Sequence, residues 1–152
     1  MNKLTPTIVA PATPTGIGGI AVIRLSGPLI SQICLEVVGS LPTARVASMT
    51  KFYGKDGEII DKGITIFFPE PASYTGEDVL EIHCHGGPVV VTQIINRIRS
   101  LGAELARPGE FTERAFLNGK IDLTQAEAVA DLINSRTSTA AKCAIRSLEG
   151  YF

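Results

Sequence analysis

The sequence predicts an α+β two-layer sandwich followed by the first helices of a helical domain. Three observations predict it. Short runs of strand-like residues fill Thr7 to Cys84, two amphipathic stretches are each entered through a Gly-Pro step, and the composition changes at Gly119. The predicted boundary separates residues 1–119 from residues 120–152.

Thr7 to Ala10 forms a short strand, and Pro11 to Gly19, reading PATPTGIGG, is a loop of turn formers. Its glycines fit neither a dinucleotide fingerprint nor a Walker loop, because no Lys followed by Ser or Thr closes it and a strand follows. Ile20 to Ser26 is that strand, with Ala21, Ile23 and Leu25 on one face and Arg24 on the other. An arginine there either snorkels from an edge or meets a carboxylate, and snorkelling is the more ordinary outcome. Pro28 opens a helix carrying Leu29, Ile30, Ile33, Cys34, Val37 and Val38 on its buried stripe, and Gly39 stops it. Arg45 to Tyr53 and Glu58 to Phe68 are two strands around an Asp56-Gly57 turn. Ile64 to Phe68 is apolar on both faces, which places it centrally in the sheet.

Ser73 to Gly87, SYTGEDVLEIHCHGG, is the stretch around which the chain is organised. Alternation along Val79 to Cys84 sends Leu80, Ile82 and Cys84 to the core and Glu81, His83 and His85 to the other face. Gly86 and Gly87 then let a backbone or ligand come close. The polar face reads either as the solvated side of a half-buried strand or as a site. A metal centre is disfavoured, since His83 and Cys84 point apart and the chain lacks repeated ligand pairs.

Pro88 starts the second amphipathic helix, with Val90, Val91, Ile94, Ile95, Ile98 and Leu101 in its stripe and Gly102 at its end. Beyond Gly119, Thr124 and Glu127 have capping-box spacing ahead of a helix to Asn134, and another helix runs from Ser138 to Leu148. Two stripes, Ala126-Val129-Ala130-Ile133 and Ala141-Ala144-Leu148, exceed what two helices can bury in each other. With Tyr151 and Phe152 at its end, the chain reads as an intact domain and the opening of a truncated helical one.

Composition excludes several classes. In 152 residues, 45% hydrophobic content with 19% charge fits a globular protein with one good core. A net charge of -1 gives no global pull toward nucleic acid or anionic membrane. Cys34, Cys84 and Cys143 are odd in number and suit reduced thiols in the cytosol. No signal peptide precedes Thr7 and no apolar run reaches transmembrane length, so a cytoplasmic protein is expected.

Three segments, TIVAPATPTGIGGIAVIRLSG, SYTGEDVLEIHCHGGP and RPGEFTERAFLNGKIDLTQAEAVADLI, carry a resemblance to the N-terminal region of the MnmE (TrmE) family of bacterial tRNA modification GTPases, over essentially the whole chain. The resemblance implies the folate-binding fold of aminomethyltransferases, a homodimer, and a bound tetrahydrofolate such as 5-formyltetrahydrofolate held by Arg24, Glu81 and Lys120. By itself Lys120 would read as a solvated lysine. The chemistry is coherent, because a carboxylate such as Glu81 accepts the ring N–H and amino donors of a pterin edge. Arg24 or Lys120 suits the anionic tail.

The family's GTP, magnesium and potassium sites belong to a guanine-nucleotide domain for which this chain has no GxxxxGK[ST], and NGKID at Asn118 to Asp122 is not the guanine-reading NKxD. GTP hydrolysis by this chain alone is therefore not expected. The resemblance also implies an FAD-dependent partner, MnmG (GidA), with which the family builds a carboxymethylaminomethyl-type group on the wobble uridine of tRNA. Two other readings stay open: a dimerisation scaffold without folate affinity, and a free-standing one-carbon transferase. The latter is weakened by the lack of an acid or base placed for methylene release.

Overall fold

The structure, a computed structural model, describes residues 5–150. Tyr151 and Phe152, and all but Thr5 and Pro6 of the residues preceding Thr7, lie outside the described residues. The chain divides into two compact units, one of residues up to Ser73 with Glu77–Pro108, the other of Tyr74–Gly76 with Gly109 onward. The composition change at Gly119 falls inside the second unit.

The first unit is a mixed sheet under two helices. Its strands are β1 (Ile8–Pro11), β2 (Gly18–Ser26), β3 (Ser48–Tyr53), β4 (Ile59–Phe68), β5 (Val79–Gly86) and β6 (Glu104–Leu105), in the order β3-β4-β5-β2-β1-β6. All neighbours are antiparallel except β1 and β6. Helices α1 (Ile30–Val37) and α2 (Pro88–Ser100) cover one face. There Ile23, Leu25, Leu80 and Ile82 of the sheet are fully buried in one cluster with Ile30, Ile33, Ile94 and Ile98 of the helices. Each such side chain contributes about 1.5–3 kcal/mol on burial, so a one-residue slip that turned them outward is strongly disfavoured. That fixes which residues face away from the helices. As expected, β4 is an interior strand and β2 and β5 are each followed by a helix through Gly-Pro.

Several boundaries differ from the sequence expectation. Helix α1 begins at Ile30 rather than Pro28, and the Leu29 N–H donates to Thr7 Oγ1 at 2.9 Å. Strand β3 begins at Ser48 rather than Arg45, because Arg45 takes a positive φ of 60° and turns the chain. Strand β6 has no sequence signal, being two residues paired parallel to β1.

The second unit contains α3 (Glu110–Leu117), α4 (Leu123–Asn134) and α5 (Ser138–Leu148). Helix α3 was not expected. The capping box lies two residues earlier than read: the Asp122 side chain accepts from Gln125 N–H, and the Gln125 side chain accepts from Asp122 N–H. The α4 stripe stays uncovered, as expected of one that two helices cannot bury in each other. Ala128 and Ala144 are the buried residues of α4 and α5, whereas Ala126, Val129, Ala130 and Ile133 line an open cleft of 470 Å³ beside α3.

Candidate functional site

The face of β5 turned away from the helices carries Glu81, His83 and His85, as alternation predicts. Register places Arg24 of β2 directly opposite Glu81, with Ile66 of β4 on its other side. Arg24 therefore meets a carboxylate rather than simply snorkelling: its Nη2 lies 3.6 Å from Glu81 Oε2. The other oxygen of Glu81 is 3.1 Å from His83 Nε2. One carboxylate thus stands between a guanidinium and an imidazole, all three about a quarter exposed. Half-burial strengthens these interactions over those at a fully solvated surface while leaving the group reachable by a ligand. A carboxylate with two oxygens presented side by side can accept two parallel N–H donors from a planar heterocycle.

The next pair along the strand was not legible locally. His85 Nδ1 lies 2.8 Å from Asp61 Oδ1, and the His85 backbone N–H donates to Asp61 Oδ2 at 2.9 Å. Burial by itself raises the Asp61 carboxyl, but hydrogen bonds from the backbone and ring of His85 and from the Lys62 backbone outweigh it and hold the group below the usual carboxylate range. The carboxylate accepts, so Nδ1 carries the proton, and the His85 side chain is largely exposed. His83, His85, Lys62, Ile64, Met49 and Ile20 line a cleft of about 240 Å³ on this face.

Glycines set the floor of this region. A Cβ on Gly63 would run into the His83 carbonyl, and one on Gly86 into the Gly18 backbone, so both let neighbouring strands close together. Gly87 meets nothing within 4 Å, so of the two glycines singled out from the sequence only Gly86 serves a close approach of backbone. The PATPTGIGG loop lines a separate cleft of 470 Å³ with the start of α2, and among the described residues no ionisable side chain lines it.

The structure brings together Arg24 and Glu81, and Lys120 belongs to the second unit. Its backbone is held by the end of α3. Gly119 adopts a φ of 72°, its N–H donates to Phe116 O at 3.0 Å, and the Lys120 N–H donates to Ala115 O at 2.8 Å, a Schellman motif. Gly76 is packed so that an added Cβ would lie 3.3 Å from Lys120 Cγ, and Asn118 Nδ2 donates to Thr75 O at 2.7 Å. Thr75 and Gly76 of the same unit thus form part of the surroundings of Lys120.

The thiols face elsewhere. Cys84 lies on the core side, opposite to His83, and among the described residues no group of three or more His, Cys, Asp or Glu side chains could hold a metal ion. Burial pushes the Cys34 thiol up to about 12, with Asp78 adding to it, and the Cys84 thiol up to about 11, with Asp61 adding to it. Both remain protonated and poorly nucleophilic at neutral pH. Native chain treated with a maleimide should take one label, on exposed Cys143, and three after denaturation. Labelling of Cys84 as fast as Cys143 would contradict its place on the core face.

Residues 7–120 match the family model described as "GTP-binding protein TrmE N-terminus". The chain is 55% identical over 153 aligned residues to the tRNA modification GTPase MnmE of Baumannia cicadellinicola subsp. Homalodisca coagulata, covering 100% of this chain and 34% of that protein. It is 56% identical over 146 residues to the protein of the same name from Coxiella burnetii strain RSA 493, covering 96% and 32%. The protein of that name from Vibrio vulnificus strain YJ016 is 56% identical over 149 residues, covering 97% and 33%. The chain therefore spans about a third of the length of these curated relatives.

Proposed function

Because the chain belongs to the family of TrmE N-terminal regions, we propose that it is the tetrahydrofolate-holding and dimer-forming part of a GTPase that modifies the wobble uridine of tRNA. The observation that carries this reading is the Arg24–Glu81 pair, half-buried on an open sheet face beside a cleft. Glu81 accepts the ring N–H and amino donors of the pterin, exchanging contacts with Arg24 and His83 for contacts with the ligand. Arg24 or Lys120 supplies positive charge to the anionic ligand, a 5-formyltetrahydrofolate.

The folate brings a one-carbon unit. This chain's residues bind and orient it. GTP, magnesium and potassium would be engaged by a guanine-nucleotide domain, and the wobble-uridine chemistry would be shared with tRNA and the FAD-dependent partner MnmG (GidA). Residues 1–152 contain no phosphate-binding GxxxxGK[ST] motif. A cytosolic setting follows from that partnership. No helix among the described residues is long and apolar enough to cross a membrane.

Equilibrium dialysis of 5-formyltetrahydrofolate against the purified chain, combined with light scattering, tests the reading. The expected result is saturable uptake of one ligand per chain by a particle of twice the chain's mass. A dimer that takes up no folate would instead make this a scaffold.

A further inference from the structure

Lys51 of β3 and Lys62 of β4 are direct partners in the antiparallel register, so their side chains leave the same face of the sheet. Neither takes part in any ion pair or side-chain hydrogen bond among the described residues. Like charges facing each other across a ladder are unfavourable, and the nearby carboxylate of Asp61 is already engaged by His85. Such an arrangement is relieved by an anion. Lys62 and His85 line the same 240 Å³ cleft, so the positive charge opens onto a cavity and not simply onto solvent.

The position of the pair gives the anion a direction. Along β5 the open face runs from Glu81 through His83 to His85, a span of about 13 Å at roughly 3.3 Å per residue. Beside His83 the neighbouring strands present Ile64 and, beyond it, Met49. One strand step further they present Lys62 and Lys51. Hydrogen-bonding groups, an apolar patch and a basic pair therefore follow one another in a line. Folate has the same order of parts: a pterin, an aryl ring and glutamate carboxylates.

We propose that Lys51 and Lys62 form a subsite for the outer carboxylates of a polyglutamylated folate tail. This rests on the folate reading above and specifies the form of the ligand. Each added γ-linked glutamate brings a carboxylate within reach of a surface lysine, an interaction that salt screens.

Calorimetric titration of the 152-residue chain with the mono- and triglutamate forms of 5-formyltetrahydrofolate tests it. The triglutamate should bind about fivefold tighter at low ionic strength. In the double variant Lys51→Gln/Lys62→Gln that preference should fall to about one, the triglutamate losing more affinity than the monoglutamate. The same substitutions relieve the facing charges, so the melting temperature should hold or rise slightly. Equal binding of the two forms by the parent, or a preference that survives in the double variant, would overturn the subsite. So would variants that keep the folate preference but lose retention of tRNA, which would assign the lysines to RNA phosphates. Failure of both folates to bind the parent would instead overturn the folate reading itself and the subsite with it.

Discussion

Gly63→Ala is expected to lower the stability of the chain by about 3 kcal/mol, the upper end of what overpacking commonly costs. The added methyl would meet the His83 carbonyl oxygen and lie 3.1 Å from Phe52 Cε2. The first of these neighbours is backbone in the interior strand β5, and Phe52 is fully buried, so neither has an easy way to give. In a chain of this size the loss corresponds to a drop of roughly 10 °C in melting temperature. Gly19→Ala is the matching control, because a Cβ there meets nothing within 4 Å; it should change stability by no more than about 0.5 kcal/mol. Thermal melts of both variants check the pair. If Gly63→Ala melts with the parent, the strands that frame the cleft are not as close as described.

Much of this arrangement was legible because strands report their own faces. The alternation of Leu80, Ile82 and Cys84 with Glu81, His83 and His85 needs only a period of two, and burial follows it residue by residue. Pairing is another matter. Nothing near Arg24 says that Glu81 will lie opposite, since that depends on the register of two strands far apart in the chain. Asp61 and Lys62 were not legible for the same reason: that they come beside His85 depends on the register of β4 against β5.

The helical unit was less legible. Helix α3 has only eight residues, and its two buried ionisable side chains, Glu110 and Arg114, pair with each other at 3.4 Å across one turn. A charged pair inside a helix hides the apolar stripe by which helices are recognised. Gly109 enters α3 with a φ of 73° and no side-chain cap, so the usual start signal is missing as well. For α4 two overlapping spacings, Asp122 with Gln125 and Thr124 with Glu127, both satisfy the capping pattern. Asp122 is the cap because the Schellman turn at Gly119 ends α3 early enough for the next helix to begin at Leu123.

The second large effect concerns binding. Glu81→Gln keeps the size of the side chain but removes its charge, and an amide offers one acceptor where the carboxylate offered two. Hydrogen bonds to a charged group contribute about 1.5–3 kcal/mol, so folate affinity should fall about tenfold or more. Folding should be far less affected. The Arg24 contact is 3.6 Å long and both side chains are partly exposed, which makes it a weak contributor to stability. Isothermal titration of 5-formyltetrahydrofolate into the parent and Glu81→Gln, each paired with a thermal melt, is the most direct measurement of whether this face holds folate. The predicted result is a clear loss of affinity at nearly constant melting temperature; unchanged affinity with a lowered melting temperature would make Glu81 a structural residue and contradict the site.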